Sequence, residues 1–319
     1  GSVPVDPKEH EFRRDREHLL RILFAFASLV LLLLALPRGF LLGFRLGFRI
    51  RGLCGGDIPA ALGRLVYGCS PSYAARLREN LYASGVCSGE VHCKALLRGA
   101  VAEAGKGMIE LIAVWFGSDE KVKRLAVACE GWDVVEAARA RGKGIIIVTP
   151  HLGCFEMVSL YFVQRLPMTV MYRPPKLAWL EPLMIAGRSR WQATVAPANL
   201  RGVRMFYRTL RQRGSVGLLP DQAPGVGEGV WTEFFGRPAY TMTLVVRLQR
   251  ATGAAVIMVY AERLTGGQGY HLHFEELPTA QLDEAALNRA VETQVRRCPE
   301  QYLWSYNRYK VPAGAEPPA

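Results

Sequence analysis

His151 and Glu156 are the two residues of this chain whose types and spacing best suit chemistry. They sit in GKGIIIVTPHLGCFEM, residues 142–157, where an apolar run ends at Pro150 and the histidine follows at once. A neutral imidazole oriented by a carboxylate is the smallest device that takes a proton from a hydroxyl. In an unbroken α-helix, residues five apart are separated by about 140° in azimuth and do not touch. The pair therefore needs His151 in a turn ahead of the helix, which Pro150 and Gly153 would supply. A helix beginning there would also offer backbone N–H groups near Gly153 to a developing oxyanion. The competing reading is a packed turn histidine without a chemical role. Cys154 lies beside the pair, but its apolar flank favours a packed thiol over a nucleophile.

Two further stretches belong with this one. Between Glu181 and Asp221 there is no acidic residue, while Arg188, Arg190, Arg201, Arg204, Arg208, Arg211 and Arg213 all fall there. A solvated helix face ordinarily mixes signs. With Arg173 in MYRPP, the run suits bidentate recognition of phosphate; a basic surface that only maintains solubility is the alternative. In LLPDQAPGVGEGVWTEFFGRPAYT, residues 218–241, an apolar run ends at Pro220 and Asp221-Gln222 follow. Asp221 is placed to orient a group at the site. The glycine-rich loop and Trp231, Phe234 and Phe235 after it are read as a lid or apolar wall, or else as a plain turn. Neither a dinucleotide fingerprint nor a phosphate-binding P-loop nor a nucleophile elbow is present.

The elements that must position these residues follow from periodicity. Residues 57–116 read as three helices, with Ser70-Pro71 and Ser88-Gly89 as start signals. Strand-like runs then alternate with helical ones: residues 125–131, 144–150, 168–173, 193–197, 215–220 and 254–262. That alternation predicts an α/β fold with a mostly parallel sheet flanked by helices. GYHLHFEEL, residues 269–277, alternates cleanly and is expected at the sheet edge, with His271 and His273 sharing a face. Those two histidines lack an obvious third ligand, so no metal site is expected. Residues 283–298 form an amphipathic helix.

Composition bounds the partners. The 319 residues are 50% hydrophobic, and the formal net charge is +12. Such a basic excess favours anionic lipid, phosphorylated substrates or an acidic protein; nucleic acid lacks any recognition module here. The seven cysteines are irregularly spaced with no CxxC. They suggest neither a disulfide framework nor a zinc site, and a reducing, cytosol-facing environment. Residues 22–37 carry no charge and are followed by GFLLGFRLGFRIRG, residues 39–52. We read an N-terminal membrane anchor and an interfacial helix on an anionic surface. A buried core helix and an ordinary packed amphipathic helix are the alternatives. The expected organisation is a tag and flexible N-terminus over 1–16, an anchor and interfacial helix over 17–52, a catalytic domain over 53–312 and a disordered tail over 313–319.

Taken together these blocks resemble one family. HLGCFE is similar to the H-x4-E motif of the bacterial lipid A late acyltransferases, a branch of the lysophospholipid acyltransferase superfamily. MYRPP with GRSR downstream, LLPDQAPG with FFGRPA, and PEQYLWSYNRYK with Arg308 and Lys310 follow in that family's order. The resemblance covers most of residues 20–312. One departure is DQAP, where Ala223 stands in place of a more frequent acid. The resemblance implies a glycerolipid acyltransferase-like fold behind an N-terminal anchor helix, at the cytoplasmic face of a bacterial inner membrane. It implies transfer of an acyl chain from an acyl carrier protein thioester, as co-substrate, to a hydroxyl of a membrane lipid acceptor, a lipid A precursor first among them. No metal or other cofactor is implied. In that scheme His151 is the base and Glu156 holds its imidazole. Gly153, Arg188 or Arg190 steady the oxyanion, Arg173 and its neighbours hold phosphate, and Asp221 and Gln222 support. Another lipid acceptor, such as a lysophospholipid or ornithine-type lipid, and a non-enzymatic membrane-anchored lipid binder are the competing outcomes.

Overall fold

A computed structural model describes residues 57–175 and 178–316. The anchor expected over residues 17–52 lies outside the described residues. Among them, no helix is long and apolar enough to cross a membrane.

Three helices come first: α1 (Asp57–Cys69), α2 (Pro71–Ala83) and α3 (Gly89–Phe116). Their starts fall where the Ser-Pro and Ser-Gly signals put them. A short helix α4 (Asp119–Leu125) leads into the alternating region. There follow β1 (Ala126–Glu130), α5 (Trp132–Ala140), β2 (Ile145–Val148), α6 (Phe155–Val163), β3 (Met168–Tyr172), α7 (Glu181–Arg188) and β4 (Ala193–Pro197). The remainder is α8 (Leu200–Arg211), β5 (Ser215–Leu218), β6 (Gly229–Phe234), β7 (Arg237–Met242), α9 (Leu244–Thr252), β8 (Ala255–Arg263), β9 (Tyr270–Leu277) and α10 (Glu284–Arg297).

The main sheet has seven strands in the order β1-β9-β8-β2-β5-β3-β4. From β8 to β4 every pairing is parallel, while β9 runs antiparallel to β8 and parallel to β1. The α/β expectation with a mostly parallel sheet is met. The edge assignment of residues 269–277 is not. β1 pairs along β9, so β9 lies inside the sheet and β1 and β4 take its edges. Its alternation has another cause: Tyr270, Leu272 and Phe274 face a buried layer, while His271 and His273 face a half-open corner.

The central strands are apolar on both sides because helices cover both faces. Ile145 and Ile147 of β2 face a layer made with α5 and α6. Ile146 and Val148 face the layer of α2, α8, α9 and α10. The long α3 contributes Leu96, Ala100 and Val101 to the second layer and Val114 to the first. It thus passes from one face of the sheet to the other.

Between β5 and α9, where the sequence suggested a lid or apolar wall, the chain forms an antiparallel hairpin of β6 and β7. Phe235 and Gly236 both adopt positive φ, 49° and 69°. Two such residues make the type I′ turn whose twist fits a hairpin. A phenylalanine there hides the turn from a sequence reading, since Asn or Gly usually signals it. It is held because its ring is buried on Trp304 and its N–H donates to Glu292 Oε1 at 2.7 Å. One cysteine expectation is also corrected: Cys87 and Cys93 form a disulfide where α3 begins. The two are six residues apart: Cys87 lies in the turn before the helix and Cys93 at the start of its second turn, with their Cα atoms 5.2 Å apart.

Candidate active site

Two neighbouring strands build the site by the same local device. β2 and β5 are parallel and in register, with Val148 opposite Leu218. Thr149 N–H donates to the Leu218 carbonyl at 3.2 Å and carries the pairing past both strand ends. Each chain then meets a proline, Pro150 and Pro220, and the next residue is His151 on one side and Asp221 on the other. Both stand at the carboxyl edge of the sheet, where α/β proteins collect ligands.

The result is a closely bonded pair. His151 Nδ1 and Asp221 Oδ1 are 2.8 Å apart, and the His151 backbone N–H donates to Asp221 Oδ2 at 2.9 Å. Asp221 is fully buried. Burial pushes its carboxyl up, but the facing His151 charge and the hydrogen bonds it accepts from His151 outweigh that, and its pKa ends below the ordinary value. A carboxylate at this place fixes the proton on Nδ1 and leaves Nε2 as the acceptor. Gln222 Nε2 lies 3.1 Å from that nitrogen, positioned to donate to it. The Phe155 ring packs against the imidazole with centroids 4.9 Å apart.

The carboxylate that orients His151 is therefore Asp221, and Glu156 makes no hydrogen bond to the imidazole. Glu156 is the second residue of α6 and is turned to Arg188 at the end of α7. Arg188 Nε donates to its two oxygens at 3.0 and 3.1 Å, and Arg188 Nη2 bonds Oε1 as well. Trp115 Nε1, at the end of α3, donates to Glu156 Oε2 at 3.2 Å. Both oxygens are thereby used. Burial pushes the Arg188 guanidinium down, but the Glu156 charge more than offsets it and its pKa is raised. Arg188 therefore keeps its charge at any ordinary pH.

The other expected site residues divide similarly. Arg190 does not face the site: it donates to the Val114 carbonyl at 3.0 Å and pairs with Asp119, pinning the segment after α7 to the end of α3. Arg173 is exposed on the segment after β3 and has no ion pair among the described residues. Gly153 is in the turn, but its N–H is taken by the Gln301 carbonyl at 3.1 Å, and that of Cys154 by the Ala261 carbonyl at 2.9 Å. Neither is free for an oxyanion. The unsatisfied N–H groups that a helix start exposes begin one residue later, at Phe155. Cys154 is fully buried, and burial, with Glu110's charge adding to it, raises its thiol well above the usual value. It is the packed thiol expected.

The turn is braced from behind by the C-terminal segment, whose role a linear motif could not reveal. Leu152 bridges to Tyr302, and Leu303 N–H donates to the His151 carbonyl at 3.0 Å. Tyr302 is buried beside Asp221, and burial followed by the Asp221 charge drives its hydroxyl pKa well up. Arg308 is buried away from solvent, donating to the Tyr240 carbonyl at 2.8 Å and to Thr241 Oγ1 at 2.7 Å. It ties the tail to the hairpin.

Gly153 has φ of +59°, and a Cβ there would fall on the Ala261 carbonyl oxygen. Gly153→Ala is expected to destabilise the fold by at least about 2 kcal/mol, combining an unfavourable φ with a backbone collision. Urea unfolding measures it; a loss below about 0.5 kcal/mol would mean the turn yields freely.

Near the dyad, Ile147, Val158, Met168, Val170, Met171 and Leu218 line a narrow cleft of ≈ 30 Å³, with Glu156 and Arg188 also in its wall. Gly217 forms part of its floor. Phe155, whose ring packs on the His151 imidazole, is also part of its wall.

Comparison with known proteins supplies the family. Residues 54–311 match the model of the family described as bacterial lipid A biosynthesis acyltransferase. The chain belongs to that family. Among curated relatives, it is 28% identical over 249 residues to the lipid A biosynthesis palmitoleoyltransferase of Escherichia coli (strain K12), covering 76% of this chain and 75% of that one. It is 26% identical over 216 residues to the lauroyltransferase of the same organism, covering 65% and 69%. To the myristoyltransferase it is 23% identical over 256 residues, covering 77% and 78%. A solved 1-acyl-sn-glycerophosphate acyltransferase, PlsC from Thermotoga maritima, aligns at 14% identity and a TM-score of 0.34, covering 69% of this chain and 92% of that one. The last likeness is too distant to bear on the site.

Proposed function

We propose that this family member is a membrane-associated O-acyltransferase that moves a fatty acyl chain from an acyl carrier protein thioester to a hydroxyl of a lipid A precursor. The observation that carries the reading is the His151–Asp221 pair, bonded at 2.8 Å, with Phe155 standing between its imidazole and an apolar cleft. The family and the names of the relatives supply the acceptor class.

The chemistry runs through Nε2 of His151. The acceptor hydroxyl displaces the Gln222 amide from Nε2 and gives up its proton there as its oxygen attacks the thioester carbonyl. Asp221 stabilises the imidazolium that forms. The carbonyl oxygen becomes an oxyanion facing the positive start of α6, at Phe155, where helix N–H groups and the macrodipole favour negative charge. Collapse of this intermediate breaks the C–S bond. The departing thiolate takes the proton back from Nε2, which restores the enzyme. The acyl chain enters along the cleft lined by Met168, Met171 and Leu218, which must widen to take it; the two flexible methionine side chains make that easy. The Glu156–Arg188 pair gives that cleft a fixed, charge-balanced wall, so Glu156 serves by holding structure and not by touching the imidazole.

The face of α8 fits the anionic co-substrate. Arg201, Arg204, Arg208 and Arg211 follow one another at helical spacings of three and four, are exposed, and have no ion pair among the described residues. Such a stripe suits an acidic carrier protein and adds long-range steering that weakens with salt. In this reading the apolar segment over residues 22–37 anchors the enzyme at the cytoplasmic face of the inner membrane, within reach of the lipid acceptor.

The test is a transfer assay on the full chain in mixed micelles, with labelled acyl carrier protein and an under-acylated lipid A precursor. Transfer is expected, with loss of at least about a thousandfold in His151→Ala. Undiminished transfer by that variant, or turnover of lysophospholipids but of no lipid A precursor, defeats the proposal.

A further inference from the structure

At the opposite margin of the sheet from α8, three strands bring four ionisable side chains together. His271 and His273 share one face of β9. Glu130 ends β1, paired in register with His273, and Glu262 of β8 is paired with His271. Sequence spacing offered two histidines and no third ligand; the pairing of β1 with β9 supplies it. One ligand atom from each of Glu130, His271 and His273 can be chosen so that all three lie within 4.8 Å of one another.

The hydrogen-bonding geometry indicates what that space holds. Glu130 Oε1 is 3.2 Å from His271 Nε2, and Glu130 Oε2 is 3.3 Å from His273 Nδ1. Ligands around a tetrahedral ion with bonds of about 2.0–2.1 Å stand about 3.3 Å from one another. The far nitrogen of His273, Nε2, lies 3.0 Å from Glu262 Oε2. A proton held there by Glu262 leaves the Nδ1 lone pair facing the Glu130 carboxylate. Two lone-pair carriers in that position need a cation between them, either a second proton on the ring or a metal ion. A carboxylate behind the far ring nitrogen is the usual support of a metal-binding histidine. Tyr260 completes the mount, its ring stacked on that of His273 at 4.5 Å and 14°.

We propose that Glu130, His271 and His273 form a binding site for one divalent transition-metal ion of the zinc, cobalt or nickel class, with Glu262 supporting His273. Two imidazoles and one carboxylate suit these ions over magnesium or calcium. The Glu130 side is open to solvent, at 68% side-chain exposure, so the fourth position is water's. The ion clips the edge strand β1 to β9. It lies apart from the acyl-transfer chemistry and does not depend on that reading. Binding to the folded state alone raises stability by mass action.

The experiment strips the full chain with chelator, dialyses it against micromolar zinc, and counts bound metal by elemental mass spectrometry. Cobalt substitution reports geometry through its visible bands. One ion per chain is expected, with intense tetrahedral cobalt absorption. His271→Ala is expected to weaken binding about a hundredfold, and Glu130→Gln and Glu262→Gln about tenfold each. His92→Ala, on α3, leaves it unchanged. Glu130→Gln alters an exposed side chain, so loss of binding there is not a folding failure. No ion retained, or equal retention by Glu130→Gln and His271→Ala, overturns the site.

Discussion

Asp221→Asn is expected to lower the turnover of acyl transfer by about a thousand- to ten-thousandfold, at nearly unchanged size and shape. Asp221 accepts from both the His151 backbone N–H and Nδ1. An asparagine amide can satisfy the backbone donor with its oxygen only by turning its NH2 toward Nδ1. That donor forces the imidazole proton to Nε2, the atom that must be free to act as base. A wrong tautomer of this kind costs about 4–5.5 kcal/mol in barrier. The same variant changes the acid limb of stability. The Asp221 pKa is lowered in the folded state. Its contribution is therefore complete above the unfolded carboxyl pKa of about 3.9 and is lost as pH falls through the lower folded value. Unfolding of both proteins across pH 2.5–7 should show (on the order of that window) a stability gap that closes at the acid end. A pH-independent gap, or transfer within tenfold of the parent, would rule out Asp221 as the residue that sets the tautomer.

The second large effect is structural. Arg263→Leu is expected to destabilise the protein by about 3–5 kcal/mol, a fall in melting temperature on the order of 10 °C. Arg263 ends β8 and is buried among acids from α3. Its Nε and Nη2 donate to Glu110 at 2.9 and 2.6 Å, and Nη1 pairs with Glu103. Tyr270 adds a hydroxyl to Glu110 at 2.9 Å. Burial pushes the guanidinium down, yet the two carboxylates outweigh it and hold its pKa well above the usual range. Removing the arginine leaves the almost wholly buried Glu110 without its counter-charge, while Glu103 keeps Lys106. The defect also reaches the site, because Gln301 bonds both the N–H and the carbonyl of Arg263, at 2.7 and 2.9 Å, and its own carbonyl holds Gly153. Calorimetry measures the loss, and Arg263→Leu/Glu110→Leu should recover part of it, since an apolar replacement of both partners removes the stranded charge. A single variant within 1 kcal/mol of the parent would show that the acids reach solvent or protonate at little cost.

The standing of Glu156 changes most between sequence and structure. Spacing and motif both joined it to His151. In three dimensions it belongs with Arg188 and Trp115. The residue that does orient the histidine is 70 positions away in the chain. Its own signal was local and pointed to an orienting role without naming the group oriented: a proline and a polar residue just past an apolar run, once after β2 and once after β5. Only the in-register pairing of those strands turns the two repeats into one site. Arg190 illustrates the converse, a charge grouped with the site by composition that folding spends on the end of α3.

What the sequence determined by itself is the part governed by local period and short-range sterics: three leading helices, the alternation of strand and helix, the turn at Pro150 that frees His151 from the helix, and the buried thiol of Cys154. What the tertiary structure alone decided is everything set by which strands lie side by side. Asp221 rather than Glu156 faces His151 because β5 is the neighbour of β2. Residues 270–277 are interior rather than edge because β1 returns to pair with them. Glu130 meets His271 and His273 for the same reason. Side-chain periodicity tells which face of a strand is buried, but it carries no information about the next strand over, and both the dyad and the histidine cluster exist only across that gap.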